Sequence, residues 1–232
     1  MIRLLLDRKV VEIDRVDCDL TVLDWLRLHQ RRTGSKEGCN SGDCGACTVV
    51  VASPIVHGPE RLPRLKYETI NSCITFVGAL HGKQLLTVES LGDNGQLHPV
   101  QKAMVENHAS QCGFCTPGFV MSLYALYQSD EPLDEIGLRI DQALGGNLCR
   151  CTGYRAIKSA ALQAMNRREA SQLESVSSRP NSEHTVHQGV NTTQRTEKSQ
   201  MATTARELGR LAAKKPDVQG FYQPRTVSEL AR

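Results

Sequence analysis

The sequence predicts an α+β fold in which a small β-rich domain precedes an all-α domain. Strand-like patterns dominate the first part of the chain, and helical spacing of apolar residues replaces them after Pro99. Eight of the nine cysteines form two groups of four, one in each part. We therefore place the first domain at residues 1–90 and the second at residues 91–169.

The first domain contains patterns for a small sheet and one helix. Residues 2–14 alternate weakly on either side of a polar turn, which predicts a β-hairpin. Thr21 opens a capping box, and the apolar stripe after it predicts a helix to about Gln30. Residues 48–52 are a β-branched run typical of a buried strand, and residues 85–88 are a weaker strand candidate.

The second domain contains patterns for four helices. Pro99 suits a first helical turn and precedes apolar residues at helical spacing. Three more apolar stripes follow: Val120, Leu123, Tyr124 and Tyr127; Leu133, Ile136, Ile140 and Leu144; Tyr154, Ile157, Ala161 and Ala164. Loops that carry cysteines connect these segments, so we predict a four-helix bundle with thiols at its loops.

The last part of the chain has a different composition. Residues 170–202 are rich in Ser, Thr, Gln, Asn and charge, with few apolar residues to bury, which predicts a disordered linker. Residues 203–214 have modest helical potential. A short extended piece near Phe221 and a capping box at Thr226 follow, as if a further domain began and were truncated at Arg232.

Composition narrows the class of protein. The chain has 232 residues, and its formal net charge of +3 is too small to indicate nucleic-acid binding. No signal peptide or membrane-length apolar segment is visible, so we expect a cytoplasmic protein without a membrane partner. In a reducing compartment, clustered cysteines bind metals more often than they form disulfides.

The first cysteine group has a specific spacing. Cys39, Cys44 and Cys47 follow the C-x4-C-x2-C pattern of plant-type [2Fe-2S] ferredoxins, and Cys73 supplies a fourth thiol. The small residues between them suit a loop that wraps a cluster with its amides toward the sulfurs. A zinc loop fits this spacing poorly.

The second cysteine group is ambiguous by spacing alone. Cys112 and Cys115 precede one predicted helix, and Cys149 and Cys151 precede another. Four thiolates would then meet near helix N-termini, where helix dipoles favour anionic sulfur. Both zinc and iron–sulfur clusters use C-x2-C pairs, so a zinc-stapled interaction module stays open at this point.

Four ordered strings resemble one family. KEGCNSGDCGACTVV, INSCITF, ASQCGFCTPGFVMS and GGNLCRCTGY are similar to the iron–sulfur subunits and domains of the xanthine dehydrogenase, or molybdenum hydroxylase, family. The resemblance spans about residues 1–165. It implies a β-grasp ferredoxin-like domain and a four-helix domain, each with one [2Fe-2S] cluster. The implied ligand sets are Cys39, Cys44, Cys47 and Cys73, and Cys112, Cys115, Cys149 and Cys151.

The resemblance also implies a role and partners. Gln111 matches the residue that hydrogen-bonds the molybdopterin cofactor, which a molybdenum-binding large subunit carries. Electrons would pass from that cofactor through the two clusters to FAD on a flavin-binding domain or subunit. Residues 203–232 resemble the incomplete start of such a flavin domain, but they lack the Gly-rich segment that holds the diphosphate. We therefore expect neither FAD nor molybdopterin to be bound by this chain alone.

The expected function is electron transfer for an oxidoreductase, with purine hydroxylation by a xanthine dehydrogenase as the leading assignment. Aldehyde, CO and N-heterocycle dehydrogenases are the alternatives. No nucleophile motif or P-loop is present, so we assign no catalytic residue to this chain. Cys18 stands outside both groups, and we interpret it as a buried structural thiol.

Overall fold

A computed structural model describes residues 1–55, 64–92, 95–129, 135–177 and 192–213. In the described residues, the strands of its sheet are β1 (Ile2–Leu6), β2 (Lys9–Ile13), β3 (Thr48–Ile55), β4 (Arg64–Asn71) and β5 (Gln84–Leu86). Their order across the sheet is β2-β1-β5-β3-β4. β1 runs parallel to β5, and the other neighbours are antiparallel. The predicted hairpin is β1 and β2.

A short helix covers one face of this sheet. α1 (Val22–Asp24) continues into a single π-helical segment, Trp25–His29. Thr21 caps it by accepting a hydrogen bond from the Asp24 N–H at 3.1 Å. Trp25 and Leu26 pack against Leu4 and Val49 in a core of buried residues. The predicted helix is therefore present, although most of its length has π-helical hydrogen bonding.

β3 is buried on both faces, which explains its continuous β-branched sequence. Val49 and Val51 face the core beneath α1, whereas Val50 joins the core of the helical domain. Alternation along the strand sends neighbouring side chains to opposite faces, so both sides need apolar residues. The two domains thus share β3 as a packing surface.

The four predicted helices form the second domain. They are α2 (Pro99–Glu106), α3 (Thr116–Gln128), α4 (Ile136–Leu144) and α5 (Arg155–Ser177). Phe119, Leu123, Ile140 and Ile157 are fully buried in their common core. Since α3 also packs on β3, the bundle lies against the sheet face opposite α1. The predicted α+β fold is confirmed.

The structure differs from the sequence prediction in the connection after the bundle. α5 extends to Ser177, and α6 (Thr192–Ala212) is helical within and beyond the predicted linker of residues 170–202. Ala205 and Leu208 of α6 are buried against Leu5, Ala52 and Leu65 of the sheet. These few apolar positions, spaced three residues apart, dock the helix. Residues 178–191 and the predicted flavin-domain pieces at residues 221–232 lie outside the described residues.

Two smaller predictions were incomplete. β4 was not predicted, because an edge strand with exposed Lys66 and Glu68 has a weak apolar pattern. The strand candidate at residues 85–88 is shorter, since Thr87 caps a 3-10 turn, Val88–Ser90.

Within the described ranges, no helix is both long and apolar enough to cross a membrane.

Candidate iron–sulfur sites

The first thiol group lies in a loop that runs into β3. Asn40, Gly42 and Gly45 have φ values of 53°, 84° and 70°, so the chain turns repeatedly between Gly38 and Cys47. The loop brings Cys47 beside Cys73, with 3.3 Å between their sulfur atoms. Both of these residues are buried, whereas Cys39 is exposed. The group therefore has a buried half and a half open to solvent.

Backbone N–H groups point at the exposed sulfur. Those of Ser41, Asp43 and Cys44 donate to Cys39 Sγ at 3.4, 3.3 and 3.4 Å. The hydrogen bond from the Ser41 side chain, followed by those from backbone N–H groups, lowers the pKa of Cys39 to about 6. The Ser41 hydroxyl also lies 2.7 Å from Asp43 Oδ2, so it has two acceptors within reach. This loop stabilises an anionic sulfur.

Within the buried half, Cys73 has the opposite tendency in the free thiol form. Burial, then the hydrogen bond and charge of Cys47, raise the pKa of Cys73 to about 12. A buried thiolate without a cation is unfavourable, so a positive centre beside Cys73 would stabilise its thiolate form. Metal binding releases such protons.

The second thiol group lies between the starts of two helices, as predicted. Cys115 directly precedes α3, and Cys149 and Cys151 lie in the turn before α5. Cys112 Sγ and Cys151 Sγ are 3.8 Å apart, and both residues are exposed. Cys115 and Cys149 are half-buried. Burial, then the hydrogen bond that the Cys115 thiol donates to Cys149, raise the pKa of Cys115 to about 12.

Cys149 is surrounded by hydrogen-bond donors. Thr152 Oγ1 lies 3.1 Å from Cys149 Sγ, and the Thr152 N–H donates to the same sulfur at 3.4 Å. Burial acts to raise the pKa of Cys149, but hydrogen bonds from the Thr152 side chain and from backbone N–H groups outweigh burial and lower it to about 7. Each thiol group thus contains a sulfur whose pKa is lowered by hydrogen bonds from its own loop.

The two thiol groups are joined by a buried asparagine that the sequence did not single out. Asn147 Nδ2 donates to Gly45 O at 3.0 Å, and Ser122 Oγ donates to Asn147 Oδ1 at 2.7 Å. The next N–H, that of Leu148, donates to Cys44 O at 3.0 Å. The bonds to Gly45 O and Cys44 O cross between the domains, which no local pattern predicts. The Gly-Gly-Asn string before Cys149 was the available signal.

Glycines allow this close approach. A Cβ added to Gly45 would lie 2.2 Å from the carbonyl oxygen of Gly146, and one added to Gly118 would lie 2.2 Å from Gly45 O. Gly45 also has a positive φ. A side chain at either position would separate the two loops.

The thiol geometry fits two-iron clusters. Thiolates at about 2.3 Å from one tetrahedral metal lie about 3.8 Å apart, close to the separations of 3.3 Å for Cys47 with Cys73 and 3.8 Å for Cys112 with Cys151. Among the described side chains, no three His, Cys, Asp or Glu groups converge as ligands of a single ion would. Each thiol group thus contains one close pair of sulfurs, and a two-iron cluster likewise takes two thiolates on each iron.

Gln111 and Cys18, the two remaining residues that the sequence analysis singled out, are both exposed. Gln111 is exposed and directly precedes the exposed Cys112. The interpretation of Cys18 as a buried structural thiol was wrong, because the residue is exposed in the segment between β2 and α1. That segment is polar, with Asp17 and Asp19 on either side of the thiol.

Comparisons with sequence families agree with this geometry. A family described as "2Fe-2S iron-sulfur cluster binding domain" matches residues 4–78, and one described as "[2Fe-2S] binding domain" matches residues 87–162. Each match spans one thiol group. The two matches do not support the zinc-stapled alternative.

Individual relatives point the same way. A xanthine dehydrogenase from Blastobotrys adeninivorans is 48% identical over 61% of this chain and 10% of its own length. An aldehyde oxidase 1 from Rattus norvegicus is 46% identical over 66% of this chain and 11% of its own length. The quinoline 2-oxidoreductase structure from Pseudomonas putida 86 is 27% identical, with a TM-score of 0.59, over 73% of this chain and 95% of that chain. The chain spans about a tenth of the curated relatives' length.

The fold, the paired thiols and the two family matches define a protein with two [2Fe-2S] clusters, one in each domain. More particularly, the two domain matches together with the xanthine dehydrogenase and aldehyde oxidase relatives support an iron–sulfur region of the molybdenum hydroxylase family.

Proposed function

We propose that this chain is the electron relay of a molybdenum hydroxylase. Cys39, Cys44, Cys47 and Cys73 would hold the first cluster, and Cys112, Cys115, Cys149 and Cys151 the second. Bound [2Fe-2S] clusters accept and release one electron at a time. The chain's own residues would hold the clusters, set their environment and provide the path between them.

The contact between Leu148 and Cys44 carries this proposal. The Leu148 N–H donates to Cys44 O at 3.0 Å, and each of these residues is a proposed ligand or its immediate neighbour. A path from Cys44 to Cys149 therefore follows backbone bonds and a single hydrogen bond. Gly45 and Gly118 keep the loops close enough for this contact. A short path of this kind suits electron transfer between two clusters, whereas two independent structural sites would not need it.

The exposure of the thiols supports an order of transfer. Cys112 and Cys151 form an exposed edge of the second group, and Gln111 lies beside it. We assign this edge to the partner that carries the molybdenum cofactor, with Gln111 as its pterin contact. Cys39 is the exposed edge of the first group, and we assign it to the FAD-binding partner. Neither FAD nor molybdopterin would be bound by this chain alone.

The proposed substrate of the assembled enzyme is a purine, oxidised on the molybdenum partner in a cytoplasmic, reducing compartment. The relative named xanthine dehydrogenase, at 48% identity, supports this assignment. The relative named aldehyde oxidase, at 46% identity, supports aldehydes as the alternative. Cluster bleaching in the assembled complex with xanthine or with an aromatic aldehyde distinguishes them. Bleaching by the aldehyde alone would refute the purine assignment.

An anaerobic reductive titration of the purified chain tests the relay itself. We expect uptake of about two electrons per chain, because each of two clusters takes one. Cys18→Ser is a matched control, since Cys18 is an exposed thiol outside both groups. It should leave the electron count unchanged. A colourless chain that takes up no electrons would refute the proposed function.

A further inference from the structure

A side-chain hydroxyl lies against one sulfur of the second thiol group. Thr152 Oγ1 is 3.1 Å from Cys149 Sγ, well within hydrogen-bond range for sulfur. The Thr152 N–H reaches the same atom at 3.4 Å. One residue thus offers both a backbone and a side-chain donor to a single proposed ligand.

The direction of the hydroxyl hydrogen bond follows from its other partner. The Tyr154 N–H donates to Thr152 Oγ1 at 3.3 Å, so the oxygen already accepts one hydrogen bond. A metal-bound thiolate has no proton and can only accept. The Thr152 O–H therefore donates to Cys149 Sγ whenever a cluster is bound, and the Tyr154 N–H helps orient it.

The turn that holds Thr152 is fixed by its own contacts. Gly153 and Tyr154 have φ values of 64° and 67°, which reverse the chain directly after the threonine. Tyr154 Oη accepts a hydrogen bond from the Cys149 N–H at 2.8 Å, and its ring packs edge-on against buried Phe119. Left-handed backbone at a tyrosine is unfavourable by itself, so these contacts maintain it. The hydroxyl is consequently held in position before any change of redox state.

We propose that Thr152 is a positioning residue that raises the reduction potential of the second cluster through its hydrogen bond to Cys149 Sγ. The inference rests on the proposed function, because it takes Cys149 as a cluster ligand. One-electron reduction adds negative charge to the cluster and its sulfurs. A fixed donor stabilises the reduced form more than the oxidised form, and hydrogen bonds to the sulfurs are a known determinant of cluster potential.

Thr152→Val tests this inference, since valine keeps the branched shape and removes the hydroxyl. A redox titration followed by electron paramagnetic resonance measures both cluster potentials in one sample. The equilibrium constant for reducing the second cluster should fall about tenfold, which is about 59 mV for a one-electron couple. The first cluster, whose sulfurs do not contact Thr152, serves as the internal reference.

Three further variants separate the hydroxyl from general effects. Thr152→Ala also removes the hydroxyl and should lower the second potential as Thr152→Val does. Thr152→Ser retains the O–H and should restore the potential. Thr116→Val removes another threonine hydroxyl that directly follows a thiol of this group, but Thr116 Oγ1 is 2.7 Å from Ser110 Oγ rather than bonded to sulfur. It should leave both potentials unchanged. Cys47→Ser, which lacks the first cluster, assigns the signals.

Each outcome bears on the inference. An unshifted second potential in Thr152→Val and Thr152→Ala would overturn it, and so would an equal shift in Thr152→Ser. Loss of the second cluster from both Val and Ala variants, with the Ser variant unchanged, would overturn potential tuning in favour of a role in cluster retention. Absence of both signals from the unaltered chain would instead refute the proposed function.

Discussion

Asn147 Nδ2 lies 3.0 Å from the carbonyl oxygen of Gly45, and through this hydrogen bond a residue beside the second thiol group anchors the loop of the first. Asn147 is buried, and its amide oxygen accepts from Ser122 Oγ at 2.7 Å. Its Nδ2 also reaches Thr48 Oγ1 at 3.3 Å. Local helix and sheet hydrogen bonds do not supply this contact, so the two loops are joined by this side chain together with the Leu148 N–H bond to Cys44 O.

Asn147→Ala should therefore destabilise the folded chain by about 1–3 kcal/mol, because it leaves buried polar partners without a hydrogen bond. Denaturant unfolding of the cluster-loaded protein measures the loss. Gln142→Ala, at an exposed position of α4, is the control and should change stability by less than about 0.5 kcal/mol. Equal effects of the two substitutions would contradict a central role for Asn147.

Gly45→Ala should destabilise the folded chain by more than the positive φ at this position alone would cause. The added Cβ would meet Gly146 O at 2.2 Å, and φ is +70°. Gly95→Ala is a matched control, since Gly95 has φ +79° with nothing within 4 Å of an added Cβ. The control should cost about 1 kcal/mol from backbone strain. Thermal unfolding should show a clearly greater loss for Gly45→Ala, and similar losses would mean that the loops separate easily.

Cys47→Ser should remove one cluster and spare the other, because the two thiol groups lie in separate domains. The unaltered chain should contain about four iron and about four acid-labile sulfide, and the variant about half of each. Electron paramagnetic resonance after reduction by dithionite should lose a single signal. Cys115→Ser should remove the other signal. A folded Cys47→Ser chain without either signal would show that our division of the ligands is wrong.

Gln111→Ala should slow cluster reduction by substrate in a reconstituted complex, because Gln111 lies at the exposed edge that we assign to the molybdenum partner. Reduction by dithionite should be unaffected, since that reagent does not need the partner. Stopped-flow absorbance measures both rates on the same sample. An unchanged substrate-driven rate would exclude Gln111 from the transfer path.

Cys39 should show an unusual pH dependence in cluster-free protein. Hydrogen bonds from the Ser41 side chain and from backbone N–H groups lower its pKa from 9.0 to about 6. A lowered pKa means that the reactive thiolate is already formed at neutral pH. Alkylation by iodoacetamide, followed by peptide mass spectrometry, should therefore level off above about pH 7.

The same chain in denaturant provides the reference for this prediction. Without the folded loop, alkylation of Cys39 should keep rising toward its ordinary pKa of 9.0. Cys73, whose pKa is raised to about 12 by burial, should stay unmodified at neutral pH in the folded chain. Coincident folded and denatured profiles for Cys39 would contradict the hydrogen-bonded loop.

Much of the fold was predictable because its signals are local. Alternation in residues 2–14 and the β-branched run at residues 48–52 correspond to β1, β2 and β3. Helical spacing after Pro99 corresponds to α2 through α5. β4 was missed because its residues are held by pairing with β3 rather than by their own pattern. α6 was underestimated, since its few apolar residues become significant only against the sheet.

By itself, the sequence determined the α+β order, the division of eight thiols into two groups and the family resemblance. These depend on spacing along the chain and on the chemistry of cysteine, both of which are local. Only the tertiary structure decided that Asn147 joins the two loops, that Thr152 points at Cys149, and that Cys18 is exposed. Contacts such as that between Gly45 and Asn147 join residues about a hundred positions apart. Packing of the helical bundle on β3 creates these contacts. The spacing of residues along the chain carries no information about that packing.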